Sequence, residues 1–203
     1  TGQVSTSMIG NDAFQEVDTY GLSIPVTKHN YLVRDAQDLP RIISDAFRIA
    51  QSGRPGPVWI DIPKDVQLQR ILIDEIPAAS VADPAPALDL DAIACAAKMI
   101  NEALRPVLLL GGGVIASGAS PLAVQLAQRA ALPTSLTLMA LGAMPIDHPL
   151  SIGMLGMHGS RHTNYALQEA DLIICVGARF DDRATGKTQQ FCPKAKIIHI
   201  DID

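Results

Sequence analysis

The stretch LIICVGARFDDR, residues 172–183, decides the fold of this chain. Residues 172–176 form an unbroken apolar run that ends in glycine, which predicts a buried strand of a parallel sheet. Ligands of open α/β sheets bind where such strands end, and here arginines and aspartates follow at once. Guanidinium groups suit phosphate or carboxylate, and the aspartates can orient them. The loop predicts a site for an anionic small molecule, with a solvated charged turn as the alternative.

Strand and helix patterns alternate around this stretch. Because such alternation favours right-handed crossovers, it predicts an α/β fold with a doubly wound parallel sheet and flanking helices. Residues 20–35 and 139–162 contain turn-forming residues and are predicted to be irregular. The predicted helices are 39–50, 91–104, 120–132 and 164–169, and the predicted strands are 57–62, 107–110, 134–138, 172–176 and 197–200.

Residues 77–86 are the best candidate for a linker, because they are rich in Pro and Ala and lack periodicity. They separate a partial α/β segment, residues 1–76, from a second domain, residues 87–203. The chain stops directly after the apolar run 197–200. We therefore expect it to be a piece of a longer protein.

Composition and charge argue against several classes of partner. The 203 residues carry a net charge of −5 without a basic block, which argues against nucleic acid as a partner. No apolar run approaches the roughly 18–20 residues that span a membrane, so no membrane partner is expected. The three cysteines lie far apart without C-x-x-C spacing, which favours a reducing, cytoplasmic compartment. The five histidines lack metal-binding spacing, so no metal site is predicted.

Further segments follow predicted strands, and each can be interpreted either as part of a ligand site or as ordinary structure. Residues 111–113 (GGG) fit either a phosphate approached by backbone N–H groups or a tight strand–helix turn. Residues 137–139 fit ligand contact or core packing, and residues 153–159 fit an apolar lining for a flat ring or an ordinary glycine loop. Asp201 stands where doubly wound folds place an acid for ribose hydroxyls, or else caps a strand end. Together these edges suit a dinucleotide.

Short motifs spread in order along the whole chain resemble the catalytic subunits of the acetolactate synthase (acetohydroxyacid synthase) family. The motifs SGRPGPV and DIPKD are shared widely among thiamine diphosphate enzymes, whereas FQE, GMHG and RFDDR are more specific. The matching segments are FQE at 14–16, TKHN at 27–30, SGRPGPV at 52–58, DIPKD at 61–65, GMHG at 156–159 and RFDDR at 179–183.

The resemblance implies a domain plan. Family members have an N-terminal pyrimidine-binding domain, a central FAD-binding domain and a C-terminal diphosphate-binding domain. Residues 1–76 resemble the C-terminal part of the first domain. Residues 87–203 resemble the central FAD-binding domain, truncated before its end.

The resemblance also implies site residues. A pocket for the second 2-keto acid would contain Phe14, Met157 and Arg183, with Arg183 pairing with the substrate carboxylate, and Lys28 and Lys64 would lie near the active-site entrance. The implied FAD contacts are Arg54, Gly112, Gly113, Thr137, Leu138, Leu155, Gly156, Met157, His158, Gly177, Ala178, Arg179, Phe180, Asp181, Asp201 and Ile202.

The machinery of catalysis is missing from residues 1–203. The family's catalytic glutamate and its G-D-G…N motif, which holds Mg²⁺ and thiamine diphosphate, have no match in the chain. No catalytic residue is therefore assigned, and the chain alone is expected to be inactive.

The implied activity of the full protein is condensation of pyruvate with pyruvate or 2-ketobutyrate, with loss of CO₂, in branched-chain amino-acid biosynthesis. The implied partners are a second copy in a dimer or tetramer and a small regulatory subunit, and a plastid location is possible for a plant protein. FAD would have no redox role in the overall reaction. The alternatives are a related FAD-containing carboligase, such as glyoxylate carboligase, or a stand-alone nucleotide-binding module.

Overall fold

The computed structural model describes residues 1–73, 78, 83, 84 and 86–203, which fall into two units, residues 1–86 with Asp203 and residues 87–202. The first unit contains β1 (Gly2–Gln3), α1 (Thr19–Ser23), β2 (His29–Leu32), α2 (Leu39–Gln51), β3 (Val58–Pro63) and α3 (Lys64–Leu68). The second contains α4 (Leu90–Glu102), β4 (Pro106–Leu110), α5 (Gly112–Ala116), α6 (Ser120–Arg129), β5 (Thr134–Leu136), β6 (Ser151–Met154), α7 (Arg161–Gln168), β7 (Leu172–Val176), α8 (Asp182–Thr185) and β8 (Lys196–Ile200).

The second unit is built on a five-stranded sheet in the order β6-β5-β4-β7-β8, with every neighbouring pair parallel. The chain adds strands outward from β4, first on one side and then on the other. Strand order therefore reverses between β4 and β7, where ligands of doubly wound sheets bind. The predicted doubly wound α/β fold is confirmed.

The central strands are buried on both faces of this sheet. On one face, Leu108, Leu110 and Ile174 pack in a cluster that includes residues of α6. On the other face, Ile173 and Cys175 pack in a second cluster. Successive side chains of a strand point to opposite faces, so burial on both faces requires the continuous apolar run that the sequence carries.

The first unit has its own three-stranded parallel sheet in the order β1-β3-β2. Its core cluster includes Val33, Ile42 and Val66. The amphipathic pattern predicted helix 39–50, and α2 occupies Leu39–Gln51. The predicted linker 77–86 lies largely outside the described residues and stays a prediction.

The prediction that residues 20–35 are irregular is wrong, because they contain most of α1 and all of β2. The period-two alternation that marks a strand is absent from β2, because this four-residue strand buries a polar residue, Asn30. Asn30 pairs in register with Trp59 of β3, and its side-chain amide donates to the Tyr20 carbonyl at 2.9 Å and to Ser23 Oγ at 2.8 Å. These bonds satisfy the buried amide, while pairing with β3 makes the strand, so no apolar alternation marks it in the sequence.

The prediction of one long loop over residues 139–162 is wrong in part, because β6 lies within it. This strand contains Gly153 at φ +82°, and its pairing with β5 shifts register between Thr134 and Ser135. Both irregularities break the period-two pattern that marks a strand. The predicted strand 134–138 is likewise shorter and ends at Leu136, and residues 112–113 belong to α5.

None of the helices in the described part of the chain has both the length and the apolarity that crossing a bilayer requires.

We expect Gly111→Ala to prevent folding of the second unit or to lower its free energy of unfolding by more than about 3 kcal/mol. A Cβ at Gly111 would lie 2.5 Å from Ala178 Cα and closer still to the Gly177 carbonyl oxygen, both of them backbone atoms. Gly118→Ala is the control, because Gly118 has φ +68° but no heavy atom within 4 Å of the position that a Cβ would take. That strain alone costs about 1–2 kcal/mol. Equal urea-unfolding midpoints for the two variants would contradict the packing role of Gly111.

Candidate functional site

The carboxyl ends of β4, β7 and β8 are joined by main-chain hydrogen bonds beside the reversal of strand order. The Gly111 N–H donates to the Val176 carbonyl at 2.8 Å, and the Gly113 N–H donates to the Gly177 carbonyl at 3.0 Å. The Gly177 N–H donates in turn to the Ile200 carbonyl at 2.8 Å. Three segments that are distant in sequence thus form one edge.

The tight-turn alternative explains two of the three consecutive glycines. A Cβ at Gly113 would lie 2.8 Å from Gly177 Cα, and Gly177 itself has φ +63°. Together with Gly111, these positions require glycine because two backbones approach closely. Gly112 differs, because its Cβ would meet the Met139 side chain at 2.9 Å. Contact of Gly112 or Gly113 with a phosphate stays a prediction.

The charged loop of residues 177–183 is ordered by Asp181. Its Oδ1 accepts from the Arg183 and Ala184 N–H groups at 3.1 and 3.0 Å and so caps α8. Its Oδ2 lies 3.5 Å from the Arg179 guanidinium. The Arg179 and Arg183 side chains remain 68% and 71% exposed, so both guanidinium groups are accessible to an anion.

The GMHG and RFDDR motifs meet through their main chains. The Met157 N–H donates to the Arg183 carbonyl at 3.0 Å. Gly156 has φ +88°, and a Cβ there would lie 3.1 Å from Ala184 Cα and closer still to the Arg183 oxygen. The glycine is therefore required for the approach of the two loops.

Asn164 of α7 holds this turn and was missed from the sequence. Its Oδ1 accepts from the Gly156 N–H at 2.8 Å, and its Nδ2 donates to the Gly156 carbonyl at 3.0 Å. One side-chain amide thus satisfies both backbone groups of a glycine in the left-handed region. The only sequence feature that could have pointed to this role is the position of Asn164 in the first turn of a helix that Ser160 caps.

Met157 and Arg183 line a common cavity of about 260 Å³, together with Asn164, Gln168 and Phe191. Met157 is exposed and apolar, whereas Arg183 is exposed and cationic. The cavity therefore has an apolar wall at Met157 and a charged wall at Arg183 and Asp182, whose side chains lie 3.8 Å apart.

The remaining candidates of the second unit divide by exposure. Leu138 and Ile202 are exposed large apolar residues, and His158 is exposed. Thr137 is half-buried and donates its N–H to the Leu110 carbonyl at 2.9 Å. Leu155 and Ala178 are buried in the core, so any ligand contact from them would come from the main chain. Asp201 Oδ2 lies 3.6 Å from His199 Nε2. The assignment of all these residues to a ligand stays a prediction.

The other candidates belong to the first unit. Phe14 is 89% exposed. Lys28 Nζ donates to the carbonyl oxygens of Ser52 and Arg54, the latter at 3.1 Å, so it is engaged by the SGRPGPV loop. Arg54 and Lys64 are exposed. Their binding roles stay predictions.

Residues 93–203 match the family model described as thiamine pyrophosphate enzyme, central domain. The chain belongs to this family. The acetolactate synthase isozyme 1 large subunit of Escherichia coli K12 is 68% identical over the whole chain, which covers 36% of that protein. A probable acetolactate synthase large subunit of Methanocaldococcus jannaschii is 50% identical, with 35% of its length covered. The chain thus spans about a third of the length of these relatives, and the resemblance drawn from its motifs is confirmed.

We expect Asn164→Ala to lower the free energy of unfolding by about 1–3 kcal/mol, because the Gly156 N–H and carbonyl would lose their partner. Asn101→Ala is the matched control, since Asn101 is an exposed asparagine in α4. Its replacement should change stability by less than about 0.5 kcal/mol. Urea unfolding measures both, and equal stabilities would show that the amide does not hold the turn.

Proposed function

We propose that the chain is part of an acetolactate synthase large subunit, which condenses pyruvate with a second 2-keto acid and releases CO₂ in branched-chain amino-acid biosynthesis. The observation that carries this proposal is the junction of the GMHG and RFDDR motifs, where the Met157 N–H meets the Arg183 carbonyl at 3.0 Å. The junction lies in a central domain of the thiamine pyrophosphate enzyme family. Relatives that are 68% and 50% identical and bear this name support it.

The carboxyl edge of the second sheet is proposed to hold FAD. The residues fit the cofactor, because the exposed Arg179 guanidinium can pair with pyrophosphate. Gly112 and Gly113, beside it at the same edge, are proposed as further contacts. Exposed apolar side chains, Leu138 and Met139, can contact the flavin ring system. Asp201 can accept from hydroxyl groups beyond the end of β8.

The second 2-keto acid is proposed to bind between Arg183 and Met157. The guanidinium can bind the substrate carboxylate through two hydrogen bonds, while the thioether packs on its alkyl group. The cavity of about 260 Å³ that they share supports this pairing. Substrate-binding roles in the full enzyme are likewise proposed for Phe14, Lys28 and Lys64 of the first unit. Thiamine diphosphate, held with Mg²⁺ by other parts of such an enzyme, supplies the carbanion chemistry.

A second copy of the protein is the proposed principal partner. The first unit exposes Phe14, Leu22 and Val26, which are large apolar side chains that water solvates poorly. In the proposed large subunit, either other parts of the same protein or a second copy in a dimer or tetramer would cover them. A small regulatory subunit is proposed because the relatives are named large subunits. The cytoplasmic compartment stays a prediction from cysteine usage.

The first experiment is a titration of the 203-residue chain with FAD, followed by quenching of flavin fluorescence. We expect saturable binding that Arg179→Ala weakens by roughly 10- to 150-fold, the equivalent of about 1.5–3 kcal/mol for one charge-assisted pair. Arg183→Ala is the matched control and should leave FAD affinity unchanged. Wild-type affinity in Arg179→Ala would contradict the assignment of this loop to FAD.

The second experiment replaces the matching segment of the E. coli isozyme 1 large subunit with residues 1–203 of this chain. We expect the hybrid to form acetolactate from pyruvate. Arg183→Ala in the hybrid should raise KM for the second keto acid by roughly 10- to 150-fold, because one charge-assisted pair is lost, while FAD stays bound. A folded, FAD-bound hybrid that turns over glyoxylate but not pyruvate would favour a related carboligase. Equal loss of FAD and activity would make Arg183 structural.

A further inference from the structure

The centre of the charged loop contains a residue in an unfavourable backbone conformation. Phe180 has φ +53°, in the left-handed region that side chains with a Cβ seldom occupy. A bulky residue keeps such a conformation only where its surroundings impose it. Phe180 directly follows Arg179, which the proposed function places against FAD.

One histidine contacts the loop on both sides of Arg179. The ring of His199, in β8, lies 5.1 Å from the Phe180 ring at an interplanar angle of 69°, an edge-to-face contact. Its Nε2 lies 2.8 Å from the Ala178 carbonyl oxygen. Because a carbonyl can only accept, Nε2 carries the hydrogen and donates it.

Three other side chains lie near these contacts of His199, but none of them makes both. The Phe191 ring lies 6.0 Å from the Phe180 ring at an interplanar angle of 69°, a second edge-to-face contact. The buried Cys175 thiol donates to the Ala178 carbonyl at 3.4 Å, a longer and weaker bond than that from His199. Asp201 Oδ2 lies 3.6 Å from His199 Nε2. The imidazole is thus the one group among these that contacts both Ala178 and Phe180.

We propose that His199 is a positioning residue that holds residues 178–181 in the shape that presents Arg179 to the pyrophosphate of FAD. The inference rests on the proposed FAD site. Two contacts from one ring, to Ala178 and to Phe180, fix the backbone on either side of Arg179, whose guanidinium is left in solvent. Binding to a loop ordered in advance avoids the entropic cost of ordering it.

The test separates the two contacts of the imidazole. His199→Ala removes both, His199→Gln keeps an N–H donor without the ring, and His199→Phe keeps the ring without the donor. His162→Ala removes an exposed histidine from α7 and serves as the control. Each variant of the 203-residue chain is digested with limiting trypsin, with cleavage after Arg179 and Arg183 located by mass spectrometry, and is titrated with FAD.

We expect His199→Ala to speed cleavage after Arg179 at least tenfold, to weaken FAD binding at least fivefold and to alter the visible spectrum of the bound flavin. The Gln and Phe variants should each recover part of the protection, and the control should match the wild type. Wild-type cleavage rates in all three His199 variants would overturn the proposal. If His199→Ala does not fold, the Gln and Phe variants decide in the same way.

Failure of the proposed function has a different signature. If the wild-type chain does not bind FAD, the flavin assignment fails on this chain, while the cleavage rates still decide whether His199 holds the loop. If cleavage accelerates but FAD affinity does not change, His199 orders the loop without positioning Arg179, and the inference is overturned while the FAD site stands.

Discussion

The close approach of two backbones at the reversal of strand order is the constraint on which the second unit depends. The loop after β4 crosses the loop after β7 so tightly that Gly111 and Gly113 have no room for a Cβ against Gly177 and Ala178. Main-chain hydrogen bonds of 2.8 and 3.0 Å close the contact. A side chain at this crossing would separate the loops and, with them, the carboxyl ends of the two central strands. Glycine is required there by packing, whatever ligand the edge binds.

Main-chain hydrogen bonds also hold the loops of the proposed site. Asp181 caps α8 through the N–H groups of Arg183 and Ala184, and the Arg183 carbonyl accepts from Met157. Asn164 completes the series by holding Gly156. The loops are therefore fixed by backbone bonds and by capping side chains. The guanidinium groups take little part, since exposed ion pairs of 3.5 and 3.8 Å contribute little to stability.

The doubly wound sheet could be predicted from the sequence. An apolar run such as residues 172–176 is explained by burial of one strand on both faces, so it can be recognised without knowledge of the strand's neighbours. The charged loop followed from its position after that run. The strands that the sequence analysis missed are specified by pairing with another strand, and no period-two pattern within them records it: β2 pairs with β3, and β6 pairs with β5 across a shift in register. Asn164 and His199 were missed because each bonds to a main-chain group outside its own element, and no periodic pattern records such a bond. Arg54 came only from resemblance, since no periodicity marks a single arginine in a turn.

The division between backbone scaffold and exposed side chains bears on how such a site determines its ligand. Fold alone does not specify function, which lies in the side chains placed on it. Here the glycines, Asn164 and the Asp181 cap set where the loops run, whereas Met157, Arg179 and Arg183 face solvent. Exchange of Met157 or Arg183 changes volume or charge in the cavity without altering the crossing of the two loop backbones. The ligand of the cavity can therefore vary among proteins that share these glycines, while a change at the glycines affects every ligand at once.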